Sequence, residues 1–159
     1  MKRGFTVNAT LWKRMAAFVI DLFIINLAIA YPFRKFFPNR SSFSENYAYF
    51  TSSPEALKQI TIITLIISML AILYFAFFEF HLGQTIGKMA FNLKVISQAG
   101  ELSMWQCLLR NIYLVPLFPF VLMWIIDPIY VFFNPEKQRL TEWLSRTKVI
   151  EEVQRGLYR

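Results

Sequence analysis

Apolar residues fall in three blocks. Met15–Phe33 runs for 19 residues broken only by Asp21, Asn26 and Pro32, and Ile60–Phe80 runs for 21 with one charged member, Glu79, near its end. Ile112–Phe133 runs for 22 but contains Asp127 and three prolines, Pro116, Pro119 and Pro128. A helix of about 20 mostly apolar residues spans the hydrocarbon core of a bilayer. The first two blocks therefore predict transmembrane helices over about 15–33 and 60–80. Proline breaks the helical hydrogen-bond ladder and clashes with the preceding turn, so the third block predicts a broken membrane element. Ser103-x-x-Gln106 reads as a capping box, which sets its start back to Ser103. Residues 103–133 then divide into two helices of about 15 residues, each short of a full crossing. A re-entrant hairpin and two short helices are the two forms this allows.

The connections carry signals of their own. Residues 34–59 hold Phe36, Phe37, Phe43, Tyr47, Tyr49 and Phe50 among Ser and Asn, the composition of an interfacial loop. Asn92–Ser97 and Thr147–Val153 alternate apolar and polar residues and predict two short strands. Asn134-Pro135 reads as an N-cap followed by Pro at the first helical position. The helix it would start carries Leu140, Trp143 and Leu144 on one face and is expected to lie on the membrane surface. The fold expected is an all-α integral membrane protein, a single domain over 1–159. It comprises two full transmembrane helices, a Pro-broken third element over about 103–133, and a small cytoplasmic two-stranded β element. Segment 81–111 and the closing helix and strand of 134–159 would lie in the cytoplasm.

Composition narrows the class. Hydrophobic residues make up 56% and charged residues 17%, which excludes a disordered chain. A soluble bundle with apolar core helices is the competing reading. A cleaved leader competes for the first block alone: Lys13 and Arg14 would form its basic region and Ala28-Ile29-Ala30 its cleavage site. Asp21, half-way through the apolar stretch, argues against it. Cys107 is the single cysteine and rules out a disulfide framework. The formal charge of +7 raises nucleic acid as a partner, but the basic residues are better explained by topology. With the third block crossing once, the Lys and Arg counts on the two sides are nearly balanced. With that block entering and returning, 13 of the 17 basic residues share one face. The positive-inside rule favours the second arrangement in the cell membrane, with the N-terminus cytoplasmic.

Ionisable residues inside apolar blocks are the candidates for function. Arg14 and Asp21 stand seven apart, two turns along one face and about 10.5 Å along the axis. Ala17 and Ala28 continue that stripe, the small-residue pattern by which a membrane helix meets protein. Asp21 needs a partner, a proton or water at that depth, and Arg110 or Lys88 would be nearer than Arg14. Asp127 precedes Pro128, which biases it out of the helix; it would accept freed backbone amides there, or bind a cation or carry a proton. Glu79 and His81 bracket the end of the second helix. Gly83-Gln84-Thr85-Ile86-Gly87-Lys88 superficially resembles a phosphate loop, but three residues separate the glycines where four are needed. Gly83 is better read as a left-handed helix terminator, with Lys88 at the cytoplasmic surface. One His and one Cys leave no metal constellation. No cofactor, nucleotide, nucleic acid or enzymatic activity is expected.

Three ordered stretches carry a family resemblance. Leu11-Trp12-Lys13-Arg14-Met15-Ala16-Ala17-Phe18-Val19-Ile20-Asp21 is similar to the first-helix pattern W-x-R-x-x-A-x-x-I-D of the RDD family of small multi-pass membrane proteins. Gly83-Gln84-Thr85-x-Gly87-Lys88, followed by Leu93-Lys94-Val95-Ile96 and Arg110, resembles that family's central segment. Arg139-Leu140-Thr141-Glu142-Trp143-Leu144, followed by Thr147 and Val149, resembles its closing pattern. The resemblance implies that Arg14 and Asp21 are the named arginine and first acid. The last acid is usually Asp in the family, here Glu142 aligns with it, and Asp127 is the other candidate. The resemblance also implies a transporter-like protein moving a small solute or exchanging Na⁺ for H⁺. Three spanning elements do not readily enclose a path, so that role requires a homo-oligomer or a larger membrane complex. The alternative is a non-transporting accessory or scaffold subunit, in which Arg14, Asp21 and Glu142 clasp the first helix to the C-terminal helix.

Overall fold

The computed structural model describes residues 5–36, 42, 44, 45, 48 and 52–153. Most of the expected aromatic loop, including Phe37, Phe43, Tyr47, Tyr49 and Phe50, lies outside the described residues. Among the described residues, two helices are long and apolar enough to cross a membrane. Helix α1 spans Leu11–Phe36 (26 residues) and α2 spans Pro54–Leu82 (29 residues), about 39 and 44 Å of helix against a hydrocarbon core of about 30 Å. Both begin upstream of the apolar blocks: α1 takes in Trp12, Lys13 and Arg14, and α2 starts on Pro54 after Ser53. A helix continues into polar sequence as long as no breaker intervenes, so hydropathy marks the buried stretch and not the cap. Gly83 ends α2 with φ 69°, its N–H donating to the Glu79 carbonyl, the left-handed terminator expected of it.

Within α1 the backbone widens into a π turn over Asn26–Ala30. Ahead of the turn the stripe facing protein is Ala17, Asp21 and Ile25; the turn then shifts the phase of the helix, and Ala28 is exposed. The expectation that Ala28 continues the stripe is corrected by that extra residue per turn.

The third block is broken, but not where or how the sequence suggested. Helix α3 (Ile86–Met89) and strand β2 (Leu93–Ser97) follow α2, and α4 (Met104–Arg110) then opens on Ser103 with both arms of the capping box made. Single 3₁₀ turns at Ile112–Leu114 and Phe120–Leu122 lead into α5, Met123–Phe133. The two helices are thus 7 and 11 residues long, shorter than the 15 expected. The break lies around Pro116 and Pro119. Pro128 sits inside α5, at its sixth residue, where it removes the bond that an N–H there would make to the Trp124 carbonyl, and the helix continues past it. Asn134 closes α5 and does not open the next helix. That helix, α6, is only Leu140–Leu144; Leu140 is half-buried and Trp143 and Leu144 are exposed.

Among the described residues the β element has three strands where two were expected, in a chain that is otherwise mostly helical. β1 (Phe5–Asn8) and β2 flank the central β3 (Thr147–Val153), both antiparallel to it. Phe5–Asn8 is too short for an alternation signal, and only pairing with β3 reveals it. The sheet gathers the N-terminal, middle and C-terminal segments at one end of the long helices.

Two apolar clusters result. Ala9, Ala17, Leu93, Val95 and Val149 pack beneath the sheet. Ile25, Ala71, Phe75, Tyr113 and Leu114 pack where α1, α2 and the broken element meet. The outer faces of α1 and α2 expose Met15, Val19, Phe23, Ile62, Met69 and Phe77, an apolar surface on two helices long enough to cross a membrane.

Candidate functional site

Between the two apolar clusters lies a layer of charge. Glu142, on the first turn of α6, is fully buried. Its Oε2 accepts from Arg14 Nη1 at 3.1 Å and from the backbone N–H of Arg139 at 3.2 Å. Oε1 faces Arg139 Nε at 3.3 Å and Arg110 Nη2 at 3.6 Å. Burial opposes ionisation of Glu142, but Arg139, Arg110 and Arg14 outweigh it and bring the carboxyl down to about 2. Arg139 feels the same balance from the other side. Burial opposes its charge, yet Glu142, Tyr113 and Asp127 hold it above the ordinary arginine value.

Arg110 extends the network from the end of α4. It is fully buried, pairs through Nε with Glu79 Oε2 at 3.1 Å, and donates from Nη1 to Thr147 Oγ1 at 2.7 Å. Glu79, expected at the edge of the membrane helix, is also buried, with Lys88 as its second cation and Asn111 as a further donor at 3.4 Å. Lys88 is therefore folded under α2 and not displayed on the surface. Burial lowers its pKa, an effect that Glu79 only partly offsets.

Asp127 joins the layer from α5. Its Oδ1 accepts from Thr141 N at 2.7 Å and Thr141 Oγ1 at 2.8 Å, and Oδ2 faces Arg139 Nη1 at 3.7 Å. It caps the start of α6, not the amides freed by Pro128 as its neighbourhood in the sequence suggested. Arg14 completes the set: Nη1 also donates to the Lys137 carbonyl and Nη2 to the Val149 carbonyl, each at 3.0 Å. The first helix is thereby tied to α6, to β3 and to the turn between α5 and α6.

Asp21 stands apart from these cations. It is fully buried, and its partners are Tyr74 Oη at 3.0 Å, Thr85 Oγ1 at 2.5 Å and the Gly87 N–H at 2.8 Å. The expected cation, Arg110 or Lys88, is engaged by Glu79 instead. Gly87 explains the close approach: a Cβ there would lie 2.1 Å from the Ala17 carbonyl oxygen and 2.9 Å from the Asp21 carboxylate. Thr85 also caps α3, its hydroxyl accepting from Lys88 N at 3.4 Å. Gly83 and the half-buried Gln84 form the turn that brings Thr85 and Gly87 onto α1.

Six of the singled-out ionisable residues, Arg14, Glu79, Lys88, Arg110, Asp127 and Glu142, thus form one network, and Asp21 forms a second site with the glycine motif. Sequence reasoning missed Arg139 as the centre of the network and Tyr74, Thr85 and Thr141 as donors. Arg139, Thr85 and Thr141 stand within the quoted motifs, so their signal was present; Tyr74, in a plain apolar helix, had none. His81 is exposed and turned back on the Phe77 carbonyl at 3.0 Å. Among the described residues, no group of three or more His, Cys, Asp or Glu is placed to hold a metal ion.

Two long apolar helices pinned at one end by a buried charge layer and a small sheet define a small membrane-associated protein. Residues 8–146 match the model of the RDD family, and the chain belongs to that family. No curated protein and no solved structure matches it.

Proposed function

We propose that this chain is a non-enzymatic, non-transporting membrane subunit, anchored by α1 and α2 in the cell membrane, whose charge layer holds its helices to a rigid platform on the cytoplasmic face. The observation that carries this reading is the state of Asp21. Three neutral donors occupy three of the roughly four acceptor positions of its carboxylate, leaving little room for a cation to share them. The Arg14–Glu142 pair supports the clasp between the first helix and α6, with the modification that Asp21 holds α3 and not α6. Assembly would be with further copies of itself or within a larger membrane complex.

The topology proposed is re-entrant, with the N-terminus cytoplasmic. The common sheet of β1, β2 and β3 supports it, since three segments paired in one sheet belong on one side. In a cysteine-free background, Asn8→Cys, Gln98→Cys and Glu136→Cys should label from one face and Glu55→Cys from the other; labelling of Asn8→Cys and Glu136→Cys from opposite faces would overturn it.

The transport reading, a small solute or Na⁺/H⁺ exchange by an oligomer, has one observation in its favour. Asp21, Asp127 and Glu142 all line a single cavity of about 370 Å³ between the helices. Proteoliposome flux separates the two. The subunit reading expects no pH- or Na⁺-driven flux above empty vesicles. Flux that disappears in Asp21→Asn at equal protein incorporation would replace it with transport.

A further inference from the structure

The face of α1 turned away from the charge layer carries a polar group that neither reading uses. Opposite Ala17, Asp21 and Ile25, the helix presents Trp12, Met15, Val19, Leu22 and Asn26, in alternating steps of three and four residues. The four apolar members are 37–70% exposed, and Asn26 is exposed with them. Apolar side chains there need no cover beyond lipid. Asn26 is a different case. It lies eleven residues beyond Met15, where the apolar block begins. That is about 16 Å along the axis, close to the middle of a hydrocarbon core of about 30 Å. Its backbone is satisfied: the N–H donates to the Leu22 and Phe23 carbonyls, and the carbonyl accepts from Tyr31 across the π turn. Among the described residues its side-chain amide has no hydrogen-bond partner. An amide left unpaired in hydrocarbon is costly, and so short a side chain cannot reach back to the headgroups as Lys or Arg would.

We infer that this face of α1 packs against α1 of a second copy of the chain, with the two Asn26 amides hydrogen-bonded to each other. A carboxamide carries both donors and acceptor lone pairs, so two facing amides satisfy one another. A twofold interface brings each residue to the same patch of its partner. Two copies inserted in the same direction also place Asn26 at equal depth, a match that a foreign helix would have to supply with a polar group of its own. Steps of three and four residues are those of a helix seam, and a single Asn in such a seam fixes register and the number of strands. The pairing uses surface that Arg14, Asp21 and their partners leave free, so the clasp stays intact. It rests on the membrane placement of α1 proposed above, which both functional readings share, and it commits the assembly to a second copy through α1.

The test is the monomer–dimer equilibrium of the full chain in phosphatidylcholine liposomes, followed by single-molecule photobleaching of a dye on Gln98→Cys. Cys107 is buried, and the chain without Gln98→Cys is the labelling control. Bleaching should pass from two steps to one as the protein is diluted in lipid. Asn26→Leu should raise the dissociation constant roughly 5–30-fold, the range of an interhelical hydrogen bond in a membrane. Asn26→Gln, which keeps the amide, should lose much less. Because Asn26 makes no side-chain hydrogen bond within the chain, Asn26→Leu should leave the monomer's thermal midpoint in detergent unchanged. Under oxidation Leu22→Cys should link two copies readily, and Met69→Cys, on the exposed face of α2, far less. A carbonate-resistant chain that bleaches in one step at every dilution would give this face to lipid or to a different helix and overturn the pairing alone. A dimer unchanged by Asn26→Leu, or one linked through Met69→Cys and not Leu22→Cys, would do the same. Release of the chain from liposomes by carbonate would overturn the membrane placement as well.

Discussion

Asp21 and Glu142 are both wholly buried acids within one small molecule, held in opposite ways. Glu142 faces three arginines and one backbone amide; Asp21 takes two hydroxyls and one backbone amide. Where the direct partners are neutral donors, the main cost of losing the carboxylate is unmade hydrogen bonds. An acid at the hub of three cations has the opposite dependence. Removing it leaves like charges confronting one another in a buried layer.

The largest effect should therefore come from Glu142→Gln, which strands Arg14, Arg110 and Arg139 together. Breaking one side of a buried charge cluster costs about 3–5 kcal/mol, read as a large fall in the thermal midpoint in detergent or as failure to accumulate. An equally stable Glu142→Gln would erase the distinction between the two acids. Acid should reproduce part of this loss. The carboxyl of Glu142 is depressed in the folded protein to about 2 from 4.5. Its contribution is then fully present above about pH 4.5 and is lost as the pH falls towards 2, by about 3 kcal/mol in all. Stability measured across that window should fall in the unmutated chain and stay flatter in Glu142→Gln.

Gly87→Ala tests the other region by shape. The added methyl meets the backbone of α1, and overpacking of this kind costs about 1–3 kcal/mol. Asp21→Asn keeps the shape and removes the charge. It should cost only about 1–2 kcal/mol, because one of three hydrogen bonds must be remade with the amide. If Asp21→Asn proves as damaging as Glu142→Gln, the neutral cradle does more than the distances suggest. Ser103→Ala removes the capping box of α4, away from both acids, and sets the scale for the comparison at about 1 kcal/mol.

Local rules that act within a few residues are legible in the order of residues alone. The Ser103–Gln106 box, the Gly83 terminator and the β2–β3 pair all reduce to spacing and residue type. Phe5–Asn8 is illegible as a strand because four residues beside an apolar helix carry no period of their own. The partners of Asp21 are hidden for a related reason: seven-residue spacing shows which residues share a face, not what that face meets. The π turn at Asn26–Ala30 then moves Ala28 off the face altogether.

Hydropathy, proline placement and the motifs by themselves determined the two long apolar helices, the broken third element and membership of the RDD family. Each depends on free energies summed along contiguous chain, which the order of residues contains. Tertiary structure alone decided which charge pairs with which. Arg14 meets Glu142 across 128 positions and Asp21 meets Gly87 across 66, and a pairing of that kind exists only once the sheet, α3 and α6 have been brought against the first helix.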